Sequence, residues 1–180
     1  MQDTAAIHHA TLTLDSHIDI PWPNGADPFF ETSRHVDLPK MREGGLDAGC
    51  FVAFVPQGPR TAEDTAAATE RALAMLDTIH AMGATNNGIT ARICPTAAEI
   101  EQAKHDGVLA ITPVVENGHA IGDDLGLLAR FARLGVAYVT MTHNGHNLLA
   151  DSANPPPRPG RRGDTAMAGS PASGGRRSRK

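Results

Sequence analysis

Aromatic residues are scarce in this chain, 4% of 180 residues with a single Trp and a single Tyr, so any core must be built from aliphatic side chains. Long apolar runs are missing too. No stretch approaches the roughly 20 residues that cross a bilayer, so no membrane partner is expected. The opening MQDTAAIHHATLTLDSH lacks the basic-then-apolar pattern of a secretory leader, and the default compartment is the cytoplasm. The two cysteines, Cys50 and Cys94, sit in apolar surroundings without CxxC spacing, which predicts buried free thiols rather than a disulfide or a zinc knuckle. No GxGxxG follows the first strand-like segment, which weighs against a dinucleotide-binding fold.

A basic surface is also lacking over most of the chain. Residues 156–180 carry seven Arg or Lys against one Asp, leaving nine basic against nineteen acidic residues in the remainder. An acidic body with a short basic end is not the footprint of a nucleic-acid-binding fold, and no nucleic-acid partner is expected.

The segment Thr11 to Ile20 alternates apolar Leu12, Leu14, Ile18 and Ile20 and reads as a strand closed by Pro21 and Pro23. A short helix is predicted around Pro39 to Glu43, stopping at Gly44 and Gly45. A second strand runs from Ala48 to Val55. Residues Thr61 to Met82 are Ala-rich with Leu73, Leu76, Ile79 and Met82 at helical spacing, and Gly83 is a natural stop. Thr96 and Glu99 have capping-box spacing at the head of a helix reaching His105. Val108 to Glu116 reads as a buried strand, Asp123 to Leu134 as an amphipathic helix with Leu125, Leu127, Leu128 and Phe131 inward, and Val136 to Thr142 as a fourth strand. Strands alternating with helices imply right-handed crossovers and a parallel sheet, either a doubly wound sheet or a TIM barrel.

In such folds chemistry gathers at the C-terminal ends of strands. His17 and Asp19 are two apart, so on a strand both side chains leave the same face and can converge on one cation. Glu116 closes the third strand and His143 the fourth. A carboxylate offers two oxygens, so a single Glu can bridge two metal ions. Taken singly, each has a plainer reading: a surface pair for His17 and Asp19, a cap or salt bridge for Glu116, a satisfied polar strand end for His143. The recurrence of metal-competent residues at successive strand ends is what favours a site. His119 and His146 read as loop residues, and His8, His9, His35, His80 and His105 as surface.

The stretches DSHIDIPW at 15–22, VDLPKMREGGLDAG at 36–49, VENGHAI at 115–121, and LGVAYVTMTHN with LADS at 134–152 resemble the membrane (renal) dipeptidase family of zinc metallopeptidases. The resemblance covers roughly residues 11–153, in the expected order. It implies a (β/α)8 barrel, two zinc ions, and hydrolysis of a dipeptide substrate. Matched position by position, His17 and Asp19 correspond to ligands of the first zinc, Glu116 to the bridging carboxylate, and His143 to the histidine that contacts substrate and the oxyanion. Asn117 departs from the family's usual Gly but tolerates the same left-handed backbone.

The family's second zinc takes two histidines from later strands, and an Arg and an Asp further on serve substrate and protons. None has a counterpart here. The expectation is therefore an incomplete (β/α)8 TIM barrel, about its first four βα units, over residues 1–155, followed by a disordered basic tail over 156–180. Such a chain holds at most one zinc well, is impaired as a dipeptidase, and exposes an open barrel edge prone to self-association. Shifting the reading frame across codons allowed for Gly163 to Lys180 can spell a segment containing His-Gly-Gly-Leu-Ser, which resembles the family's next segment. A frameshift between about Ala153 and Gly163 is the corresponding hypothesis, and the nucleotide sequence decides it. Two other readings stay open: a related metal-dependent amidohydrolase acting on another small amide, and a non-catalytic metal-binding fragment.

Overall fold

Short-range signals set most of the elements. A computed structural model of the chain describes residues 3–153; the basic tail, its expected disorder and the shifted frame lie outside these residues. Helix α1 (Thr4–Ala10) is a surface helix capped by Asp3, whose carboxylate accepts from Ala5 and Ala6. Strand β1 (Leu14–Asp19) follows. Helix α2 (Leu38–Gly44) begins at Asp37, which accepts from the Lys40 amide, and stops at Gly45, whose φ of 68° suits glycine. Strand β2 (Ala48–Phe54) is buried along almost its whole length. Helix α3 (Ala62–Ala81) is capped by Thr61 and buries Ala68, Ala72, Met75, Leu76 and Ile79, a stripe at the helical period.

Two short strands, β3 (Thr85–Asn86) and β4 (Ile89–Ile93), form an antiparallel hairpin whose turn residues Asn87 and Gly88 both have positive φ, 48° and 69°. Helix α4 (Ala97–Asp106) carries the Thr96–Glu99 capping box and stops at Gly107. Strand β5 (Leu109–Glu116) is buried except at Glu116. A 3₁₀ turn (Gly118–Ala120) and helix α5 (Gly126–Arg133) complete the regular elements. No described helix is long and apolar enough to cross a membrane.

The sheet order is β1-β2-β5-β4-β3, parallel except for the terminal hairpin. β4 pairs with the start of β5, Leu109 to Ile111. Beyond it, on the later residues of β5, lies the segment 136–140: Val139 bridges Val115, and Ala137 N–H donates to the Pro113 carbonyl at 2.9 Å. The expected fourth strand is thus a single bridge with flanking hydrogen bonds rather than a regular strand. β1, β2, β5 and this segment follow one another in barrel order, with the hairpin inserted beside the base of β5.

The register of β2 on β5 defines two faces. Phe51, Ala53, Val55, Ile111 and Val115 pack with the apolar stripe of α3 in the main core. The other face carries Cys50, Val52 and Val114, with Phe54 beside them and Glu116 paired to Phe54. At its base Ala48 and Ala110 meet Cys94, Ile100 and Ala103, so α4 closes that end. Both thiols are free and buried.

Two packing expectations fail. Leu125, just before α5, and Leu128 on it are exposed, and only Phe131 of that helix is fully buried. In β1, Leu14 is exposed while Ile18 is buried, because the register slips by one residue between Asp15 and Ile18: Leu14 pairs with Ala48 but Ile18 with Phe51. Partners three apart on a regular strand point to opposite faces, so this bulge puts two residues of even spacing on opposite sides.

Candidate metal centre

The bulge decides where the first donors point. Asp19 pairs with Val52, on the same face as Phe54 and Glu116, and His17 lies two residues before it. The kink is held locally by Asp15, whose carboxylate accepts the His17 amide at 2.9 Å. At the far end, the Arg34 guanidinium donates to the Asp19 backbone carbonyl.

Arg34 is itself anchored. Its carbonyl accepts from Lys40 Nζ at 2.9 Å, and Lys40 also donates to the Thr32 carbonyl and to Asp37 Oδ2, each at 2.6 Å. Asp37 is 3% exposed. Burial alone raises its pKa, but the hydrogen bonds from the Lys40 side chain, the Lys40 amide and Thr32 outweigh that and hold it at about 2. A buried carboxylate satisfied in this way braces the loop between β1 and α2, and through Arg34 the end of β1.

Glu116 ends β5 with its side chain 16% exposed. Its Oε2 lies 3.4 Å from His17 Nε2, its Oε1 lies 3.8 Å from His143 Nε2, and His17 Nε2 is 3.9 Å from Asp19 Oδ1. One ligand atom each from His17, Asp19 and Glu116 can be chosen so that all lie within 4.8 Å of one another. Two ligands on a tetrahedral zinc, each about 2.1 Å from it, stand about 3.4 Å apart. The set has the donor types and the spacing for one divalent cation. The His143 ring meets Phe54 edge-on, centroids 5.0 Å apart.

Other polar residues at this rim were passed over or underrated from sequence. Asn117, with φ 83°, is completely buried and serves as a hub. Its Nδ2 donates to the Val55 carbonyl, its amide donates to Thr140 Oγ1, and its Oδ1 accepts from the His119 amide and from Asn147 Nδ2. Asn147 also donates to the Met141 carbonyl at 2.7 Å and caps the amides of Leu149 and Ala150. The loop bearing His143 is therefore tied to the residue next to Glu116; Ser152 Oγ adds a bond to the His143 carbonyl at 3.1 Å. The signal available was Asn117 itself, a residue type that tolerates positive φ, directly after the strand-ending Glu116. Nothing in the local pattern disclosed its partners.

His119, expected in a loop, is instead buried in the 3₁₀ turn at 2% exposure with Nδ1 unpartnered. Burial pushes its pKa down, against a smaller upward pull from Asp64. His80, read as surface, is half-buried and bonded to the Leu134 carbonyl at 2.8 Å. His146 pairs with Asp151 at 2.9 Å. A cleft of about 520 Å³ opens elsewhere, between Ile20, Pro21, Phe29, Met82 and Asn86, and Asp27 is the one ionisable residue in its wall. It brings together no reactive groups.

Comparison with known proteins follows the same residues. Residues 1–169 match the sequence profile described as Membrane dipeptidase (Peptidase family M19). Dipeptidase verJ from Clonostachys rogersoniana is 30% identical over 126 residues, covering 67% of this chain and 32% of that protein. The probable dipeptidase PvdM from Pseudomonas aeruginosa superposes with a TM-score of 0.71 at 24% identity, over 84% of this chain and 40% of that one. A metallopeptidase from Rhodobacter sphaeroides, solved with a phosphinate mimic of the dipeptide L-Ala-D-Ala, gives a TM-score of 0.57 at 25% identity, over 75% of this chain and 46% of that one. The chain thus spans less than half the length of each of these relatives.

Proposed function

Because the chain belongs to the membrane dipeptidase family, peptidase family M19, we propose that it carries the first metal-binding half of a zinc-dependent dipeptidase. The convergence of His17, Asp19 and Glu116 donor atoms within 4.8 Å carries this reading. These three residues would hold the ion, with the other Glu116 oxygen lying toward His143. Zinc bound there supplies Lewis acidity toward a carbonyl and lowers the pKa of a water molecule.

The protein's own groups do the rest. His143, steered by Phe54 and by the Ser152 bond to its carbonyl, donates a hydrogen bond to the substrate oxygen as negative charge develops on it. The two carboxylates lie on the same rim and repel a negatively charged substrate end unless a cation intervenes, so metal and substrate bind together. The substrate class is a dipeptide, in keeping with the dipeptide mimic held by the Rhodobacter sphaeroides relative. Among the described residues one such donor group is present, so these residues account for one ion, and hydrolysis that needs a second ion would be weak with this group alone.

The test is metal analysis of the purified chain after zinc loading, with hydrolysis of L-Ala-D-Ala followed alongside. We expect about one ion per chain, lost in His17→Ala and in Glu116→Gln, and hydrolysis well below that of a full-length member of the family. Zinc retention that ignores both substitutions would refute the assignment. Parallel assay of acylated amino acids separates a dipeptidase from an amidohydrolase of broader taste.

A further inference from the structure

The β1 bulge leaves Ser16 and His17 without partners in the β2 register, since pairing passes from Asp15–Gly49 directly to Ile18–Phe51. A carbonyl freed in this way needs a donor. The donor comes from far away in sequence: the hydroxyl of Tyr138 reaches the Ser16 carbonyl at 2.5 Å, across 122 residues. Tyr138 is the only tyrosine in the chain. It belongs to the segment that pairs with β5, the strand that ends in Glu116, and its own carbonyl accepts from the Val115 amide. Its neighbour Val139 bridges Val115 on the α3-packed face, so Tyr138 points to the opposite face, the one that bears Glu116.

We propose that Tyr138 is a positioning residue for the metal centre, holding the bulge that turns His17 and Asp19 toward Glu116. The inference rests on the functional reading given above. A one-residue change of register would carry both donors to the other face of the sheet, and the bulge is what sets that register. Asp15 holds it from one side, through the His17 amide; Tyr138 holds it from the other. The same hydroxyl links the strand carrying His17 and Asp19 to the segment that bridges Val115 beside Glu116, adding a direct tie between the two halves of the donor set to the one that runs through β2. Groups hydrogen-bonded directly to metal ligands tune affinity by roughly 10- to 100-fold; Tyr138 acts one step further out, through the Ser16 carbonyl, so the low end of that range is expected.

Tyr138→Phe removes the hydroxyl and keeps the ring. Two measurements on the full chain follow: amide hydrogen exchange over residues 14–19 without metal, and the cobalt(II) dissociation constant from visible absorption. We expect faster exchange at 14–19 and cobalt bound about 10-fold more weakly, with the thermal midpoint within a few degrees of wild type. A role in packing alone would move the midpoint and leave the affinity in place. Asp15→Ala, at a half-buried position, loosens the same bulge should Tyr138→Phe fail to fold, and is expected to weaken cobalt likewise. Wild-type cobalt affinity in both variants overturns the proposal. If the wild-type chain shows no saturable cobalt binding, the functional reading fails by itself. Exchange then judges the Tyr138 clasp: faster exchange in Tyr138→Phe supports it, unaltered exchange overturns it.

Discussion

Replacing Asp37 by Asn tests whether a buried carboxylate, rather than a helix cap, braces the end of β1. Asn caps helices about as well as Asp, so the bond to the Lys40 amide at 3.0 Å can survive. The other oxygen cannot be replaced. Asp37 Oδ2 accepts from Thr32 N at 2.8 Å, Thr32 Oγ1 at 3.0 Å and Lys40 Nζ at 2.6 Å, and an amide NH₂ in its place faces three donors. Depression of the pKa from 3.8 to about 2 corresponds to about 2.5 kcal/mol favouring the ionised folded form. Donors left unsatisfied add roughly 1 kcal/mol, so the expected loss at neutral pH is about 3.5 kcal/mol. The folded-state pKa is lowered, so the stabilisation is full above the unfolded value of 3.8 and disappears as pH falls through about 2. Urea unfolding of both proteins, followed by circular dichroism from neutral pH down to about pH 2, should show the gap closing over that window. A gap below about 1 kcal/mol at neutral pH, or one that stays constant on acidification, refutes the account.

Gly118→Ala places a Cβ 2.8 Å from the Met141 carbonyl oxygen and 2.9 Å from Leu149 Cδ1; it should cost roughly 1–3 kcal/mol and displace the His143 loop, visible as a lower thermal midpoint. His119 has a folded pKa depressed by burial, so its neutral form stabilises the fold above the unfolded value near 6.5 and the benefit falls away as pH drops through the folded value. His119→Leu should therefore flatten that part of the stability profile, and an unchanged slope between pH 7 and 5 would count against it. Burial, reinforced by Asp15, raises the Cys50 pKa, and burial likewise raises that of Cys94 against the pull of Arg92. Both thiols should resist alkylation in the native chain and react only on unfolding, as mass spectrometry would show.

Elements with their determinants close by were readable in advance. α3 follows from an Ala-rich helical stripe, α4 from the Thr96–Glu99 box, and α2 from Asp37 and Gly45 at its two ends. The β3–β4 hairpin was missed although its signal was present: Asn87-Gly88 is a two-residue turn, and Ile89, Ala91 and Ile93 alternate with exposed Thr90 and Arg92. The fourth strand was overestimated because 136–140 has β5 on one side and no further strand on the other among the described residues, so its ladder stays short. The burial of Leu14 and Leu12 was misjudged for a different reason. The apolar register of Leu12, Leu14, Ile18 and Ile20 is interrupted only by Ser16, at the bulge itself, and the Tyr138 bond that holds the bulge comes from 122 residues away.

The same distinction separates the donors from the groups that aim them. A cation centre accepts few residue types, so His17, Asp19 and Glu116 stand out as soon as strand ends are placed. Aiming them asks only for a hydrogen bond to a backbone carbonyl, and any donor of suitable reach will serve: a phenol on Ser16, a guanidinium on Asp19. Such positions carry no compositional signature, and they bind backbone atoms that every sequence possesses. It follows that substitutions at Tyr138, Arg34 or Lys40, none of them a metal ligand, should disturb metal binding more than their residue types suggest. The effect should be largest where one bond fixes the register of β1, because a register error moves both of its donors at once.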